Sequence, residues 1–168
     1  MRTPLFYGLM TGLAIAAWML IEYLAGFHES EVGKFSGFAA LVLAALGVYL
    51  SIKSYRRLQG GYMRYGRGVY IGFLTSIYAG IVVAAFTYLY YEFINPDFPE
   101  IMVEQVRQQM TAGGASDAAI DKQMALTREN YQAIPQSLNG FGGFVMIGLL
   151  FALLASAFLK RKPPVVQP

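Results

Sequence analysis

The chain contains no cysteine, which removes disulfides, thiolate metal sites, cysteine lipidation and thiol catalysis together. Histidine occurs once, at His28. Even with Glu29 and Glu31 beside it, this falls short of the three positioned protein ligands that catalytic zinc needs. No Walker-type phosphate loop, Gly-x-Ser-x-Gly elbow or His-Glu-x-x-His sequence is present, so an enzyme would lack both its nucleophile and its base. The expectation is a non-enzymatic protein that takes no cofactor and no metal. Charge is scarce as well: 14% of the 168 residues are Asp, Glu, Lys or Arg, against 56% that are hydrophobic. No charged residue falls near the middle of an apolar stretch, where proton relays and ion pathways keep theirs.

What the chain has instead is four apolar stretches, at about 5–24, 35–52, 69–93 and 138–159. Each is near the ~20 residues that a helix needs to cross ~30 Å of hydrocarbon. The expected fold class is therefore an all-α integral membrane protein, one membrane domain over 1–168 with four transmembrane helices. Acidic residues are missing from three segments, and that absence orients the spans. Arg2, then Lys53, Arg56, Arg57, Arg64 and Arg67, then Lys160, Arg161 and Lys162 occupy the N-terminus, the second loop and the C-terminus, with no Asp or Glu among them. The positive-inside bias makes these segments cytoplasmic. The first and third loops hold all the acids and are expected outside. The net charge of +3 thus conceals a basic face suited to anionic lipid headgroups and gives no reason to expect nucleic-acid binding. Arg2 followed by an apolar run also opens signal peptides. This run is long, ends at Glu22-Tyr23 and lacks a small-x-small cleavage site, so it is expected to stay as an anchor.

Small residues recur every four positions along three of the spans. Gly8, Gly12 and Ala16, then Gly68, Gly72, Ser76, Gly80 and Ala84, then Gly148, Ala152 and Ser156 give flat ridges on which another backbone can approach closely. These are expected packing faces, within the bundle or in a homo-oligomer. Thr11, Thr75 and Ser76 lie mid-span, where hydroxyls can bond the carbonyl of the preceding turn. Between spans two and three, Lys53, Arg56, Arg57, Arg64 and Arg67 alternate with tyrosines around Gly60-Gly61, the expected headgroup contact.

The one sizeable polar segment, about 97–134, reads as an outer helical hairpin. Asp97 is expected to cap the first helix, with Pro99 in the first turn and Glu100 reaching back in a capping box. Ile101, Met102, Val106 and Met110 then follow helical spacing. Gly113-Gly114 breaks the run, and Ser116-Asp117 restarts it. The second stripe is Ile120, Met124, Thr127, Tyr131 and Ile134, ended by Pro135 and Asn139-Gly140. Met102, Val106, Met124 and Tyr131 are the candidate contacts to a membrane or periplasmic protein partner.

Three stretches together carry a family resemblance: Tyr7-Gly8-Leu9-Met10-Thr11-Gly12; Ile52-Lys53-Ser54-Tyr55-Arg56 running to Gly60-Gly61-Tyr62; and Tyr91-Glu92-Phe93-Ile94-Asn95-Pro96-Asp97-Phe98. The chain resembles the membrane family called domain of unknown function 4199 over nearly its whole length. Members often carry uncharged polar residues at the positions of Arg64 and Arg67, which implies that these two arginines are not shared functional groups. The resemblance brings no catalytic residues. It implies a multi-pass protein of the cell inner membrane, with both termini cytoplasmic and the long third loop periplasmic. From the residues themselves the expected role is a scaffold or accessory subunit whose outer hairpin meets a partner. The alternative is a transporter or pore subunit for a small or lipidic solute.

Overall fold

The computed structural model describes residues 2–26 and 33–161, without the side chains of 33–36. His28, Glu29, Glu31 and Lys162 lie outside the described residues. Within them are six helices: α1 (Arg2–Leu24), α2 (Gly33–Leu58), α3 (Tyr65–Leu89), α4 (Phe98–Ala112), α5 (Asp117–Asn130) and α6 (Ala133–Leu159). No strand forms among the described residues. Four helices are long and apolar enough to cross a membrane: α1, α2 from Gly37 onward, α3 extended to Ile94, and α6. Each runs beyond its apolar stretch because nothing in the flanking sequence breaks it. Lys53, Arg56 and Arg57 accordingly ride on the last turns of α2, and the turn proper is only Gln59–Arg64. Gly60 and Gly61 take φ of 70° and 89°, a region that other residues enter only with strain.

The chain divides into two compact units, one from the described residues of Met1–Val83 and Phe141–Pro168, the other Ala84–Gly140. In the first unit, large apolar side chains point outward along the helices. Phe6, Leu13, Met146, Leu150 and Leu154 are exposed, and Phe158 is 84% exposed. A water-soluble protein does not carry apolar surface on this scale; lipid accommodates it. The interior is built from small and β-branched residues, with Val48, Ile52, Met63, Ile71, Ala152 and Leu159 in one cluster and Ile15, Ala44 and Val83 in another.

In the second unit, α3 ends in one π-helical turn, Tyr90–Ile94. The Asn95 N–H closes it by donating to Tyr90 O at 2.8 Å, and Asn95 Nδ2 donates to the Tyr90 hydroxyl at 3.2 Å. Pro96 has no N–H to continue the ladder, so the helix stops. Helices α4 and α5 follow, turning at Gly114 with φ of 72°, and pack through Val103, Ile120 and Thr127, all buried.

Three local expectations are corrected here. Asp97 makes no side-chain cap bond, since its backbone is helical (φ −83°, ψ −6°) where a capping residue is extended, and the Glu100 carboxylate that would complete the capping box is held by Arg128 across the helix pair, at 2.8 and 2.7 Å. The second helix stops at Asn130, and Ile134, 63% exposed, belongs to α6. Pro135 and Asn139-Gly140 lie inside α6. Proline in a first turn costs nothing, since its missing N–H would have had no helical partner, so Pro135 helps begin a helix where it was expected to end one.

Candidate functional site

The residues chosen for packing lie on three helices of the first unit. A Cβ added at Gly72 would lie 2.5 Å from Ala152 Cβ, one at Gly68 would lie 2.6 Å from Ser156 Oγ, and one at Gly148 would collide with Ser76. Thus Gly68 meets Ser156, Gly72 meets Ala152 and Ser76 meets Gly148, each step of four along α3 matched by a step of four backward along α6. The two small-residue ridges are one antiparallel contact. Gly80 continues it more loosely, with Phe141 Cδ2 3.0 Å from its added Cβ. Gly8 and Gly12 of α1 abut another side of α3: added Cβ atoms would lie 2.8 Å from Thr75 O and 2.9 Å from Ala79 O respectively. Advancing together, those pairs make α1 and α3 parallel. Gly47 of α2, against which Thr11 is pressed, was not singled out from sequence, because no four-residue series of small residues announces it.

Buried hydroxyls between these helices are mostly satisfied close to home. Thr11 donates to Tyr7 O (2.7 Å), Thr75 to Ile71 O (2.8 Å) and Ser76 to Gly72 O (2.9 Å). Since Thr75 gives its one proton to Ile71, Ser51 donates across from α2 to Thr75 Oγ1 at 2.7 Å. Among the described residues, three buried side-chain atoms, Ser156 Oγ, Trp18 Nε1 and Glu22 Oε1, have no hydrogen-bond partner. Trp18 and Glu22 are one turn apart near the end of α1, away from its middle.

The basic residues gather where α2, α3 and α6 meet. Met63 and Arg161 exchange two backbone hydrogen bonds of 2.9 Å, and Arg56 Nη1 donates to Leu159 O at 3.3 Å, covering a carbonyl that α6 leaves open at its end. Arg67 donates to the Tyr55 hydroxyl at 2.9 Å and stands 5.6 Å from the centroids of both Tyr55 and Tyr70. Lys53 lies 5.5 Å over Tyr49 and Lys160 6.0 Å over Tyr65. Arg57 and Arg64 are exposed. Cation–π contacts of this kind contribute ~0.5–1 kcal/mol at exposed sites. They hold the cations in fixed places while leaving their charge uncancelled, an arrangement able to bind phosphates.

In the second unit, Met102, Val106, Met124 and Tyr131 are all half-buried. Tyr131 packs on Phe98 at 6.0 Å, and Phe98 meets Tyr91 edge-on at 5.3 Å. The fully covered residue of α4 is Val103, which the sequence reading passed over; its neighbour Met102 has the same apolar spacing and cannot be told apart by period alone. The Arg128 guanidinium pushes the Glu100 pKa below its ordinary 4.5, chiefly by hydrogen bonding, and Glu100 raises that of Arg128 in return.

The family described as "Protein of unknown function (DUF4199)" matches residues 6–161. No curated protein and no solved structure matches the chain. The match takes in all four long apolar helices and the α4–α5 pair between the third and fourth, and the chain therefore belongs to the DUF4199 family.

Proposed function

We propose that this protein is a multi-pass inner-membrane scaffold or accessory subunit, non-catalytic, with its termini and basic residues on the cytoplasmic face and the α4–α5 pair in the periplasm, where it meets a protein partner. The observation that carries the reading is the in-register contact of Gly68, Gly72 and Ser76 with Ser156, Ala152 and Gly148. Lipid offers no hydrophobic drive for helices to associate, so close van der Waals contact between small residues must supply it. A bundle closed this way suits an anchor. A solute path, the alternative role, would instead need polar groups opening onto a midplane cavity, and most of the mid-span hydroxyls here bond their own helix. The basic residues seated on tyrosines suit anionic headgroups at the inner surface, at about 1 kcal/mol per base.

The partner surface is tested best with Leu126, which is 43% exposed on α5. Tyr131 packs on Phe98 of α4 and Met124 is half-buried, so charges placed there would disturb the unit itself as well as a partner contact. Leu126→Asp is expected to leave membrane insertion and α4–α5 pairing intact and to release the protein that co-purifies with the wild type from native membranes, since an unpaired charge in an apolar contact costs a few kcal/mol. Retention of every partner by a folded Leu126→Asp protein would refute the docking role.

A further inference from the structure

Within the second unit lies a cavity of about 430 Å³, lined by Tyr88, Tyr91 and Glu92 from the end of α3 and its π-helical turn, by Pro96 and Pro99, and by the Gln132–Ile134 link. Its walls are rigid for identifiable reasons. The π-helical turn is clamped twice by Asn95. Tyr91 is held edge-on between Tyr90 at 5.5 Å and Phe98 at 5.3 Å. Two prolines fix the backbone beside it. A π-turn inserts one extra residue into a helical register, and such turns occur often at functional sites.

The lining mixes two tyrosines, two prolines, Ala133 and Ile134 with the neutral amide of Gln132 and one carboxylate, and holds no Lys, Arg or His. Glu92 is exposed and makes no ion pair with any described residue. The base at the end of α5, Arg128, is already held bidentate by Glu100. The whole unit carries seven acidic residues against three basic ones. An anion would therefore meet one negative charge and nothing to balance its own. A divalent metal ion would find one carboxylate where it wants six or more oxygens. Rings plus one carboxylate suit an organic ammonium, whose charge can face a ring and the carboxylate while its carbon atoms lie against aromatic surface.

We propose that this cavity binds an organic ammonium group, with Glu92 as counter-charge and Tyr88 and Tyr91 as the aromatic walls. The ammonium comes either from a soluble amine or from the amine headgroup of a phospholipid. Only the second source rests on the membrane placement proposed above, because it needs the end of α3 at headgroup depth. The partner-docking reading is not involved.

The full chain in detergent micelles free of amine lipids is titrated with choline and followed by saturation-transfer NMR. It is then placed in phosphatidylglycerol nanodiscs with and without phosphatidylethanolamine, and retained lipid is read by native mass spectrometry. Glu92→Gln and Tyr88→Leu are each expected to weaken binding roughly several-fold. Glu104→Gln, in a surface pocket where the carboxylate already pairs with Arg107 at 3.6 Å, should bind as the wild type does. Choline bound in micelles and lost in Glu92→Gln identifies a soluble amine as sufficient. Phosphatidylethanolamine retained in a Glu92-dependent way, with no choline signal, assigns the headgroup. Absence of both, or equal binding by wild type and Glu92→Gln, overturns the proposal.

Discussion

Replacing Gly72 with alanine adds one methyl group at a tight point between α3 and α6. That methyl would lie 2.5 Å from Ala152 Cβ, 3.0 Å from Ile52 Cδ1 and 3.1 Å from Val48 Cγ1. The two isoleucine and valine atoms are side-chain ends that can give by a few tenths of an ångström. Ala152 Cβ cannot move without its helix, so α6 must draw back, loosening the Gly68–Ser156 and Ser76–Gly148 contacts as well. Overpacking of this kind costs about 1–3 kcal/mol, while any glycine-to-alanine change inside a helix returns up to about 1 kcal/mol of propensity. Gly142, also within a helix but with open space around its Cβ position, receives the propensity gain alone. The difference between Gly72→Ala and Gly142→Ala therefore isolates the steric cost, and it should reach about 1–3 kcal/mol in equilibrium unfolding in detergent, read by circular dichroism. Ala152→Gly on the Gly72→Ala background removes the struck atom and should restore most of the loss, a coupling that a double-mutant cycle measures directly. Equal stabilities for the two alanine variants, or no rescue by Ala152→Gly, would refute the ridge-to-ridge contact.

Topology is checked by cysteines, none of which the chain has naturally: Ser116→Cys and Ser30→Cys should label with a membrane-impermeant maleimide in spheroplasts and Gln59→Cys should not, and equal labelling of all three contradicts the orientation. The Glu100–Arg128 pair predicts an acid limit for α4–α5. Because the Glu100 pKa is lowered on folding, its contribution is present above the ordinary value of 4.5 and fades as pH falls below that through the depressed folded value. Protection of the α4 and α5 amides, taken relative to intrinsic exchange at each pH, should fall across that window in the wild type, and in Glu100→Gln it should no longer change there. Both groups are exposed, so 1 M salt should weaken the effect.

How much of this was legible in the sequence depends on whether the responsible force is local. Span length is a sum over many residues, and single exceptions do not disturb it; the four long apolar helices came out near where their runs predicted, with α6 starting earlier across Pro135. The four-residue spacing of small residues likewise revealed each ridge. It could not say that the ridge of α3 lies on that of α6, because a ridge is complementary to any other ridge, and the choice is made by the folded bundle. Gly47 was missed for the same reason: its need to be glycine comes from Thr11 on another helix.

The failures around the third loop share one physical cause, that a local signal was outbid by a contact distant in sequence. Asp97, Pro99 and Glu100 have the spacing of a capping box, yet a capping bond to a backbone N–H offers Glu100 one neutral donor, whereas Arg128, twenty-eight residues on, offers two charged ones in a planar fork. The carboxylate goes to the stronger site, and Asp97 is left without its reciprocal partner. The π-helical turn follows the same logic. Nothing in Tyr90–Ile94 forbids an ordinary helical ending, but Asn95 bonds Tyr90 through both its backbone and its side chain, and the wider turn is what lets one residue make both bonds. That turn sits at the edge of the Glu92 cavity, so a bond pattern set by Asn95 also sets where the Glu92 carboxylate stands relative to Tyr88 and Tyr91.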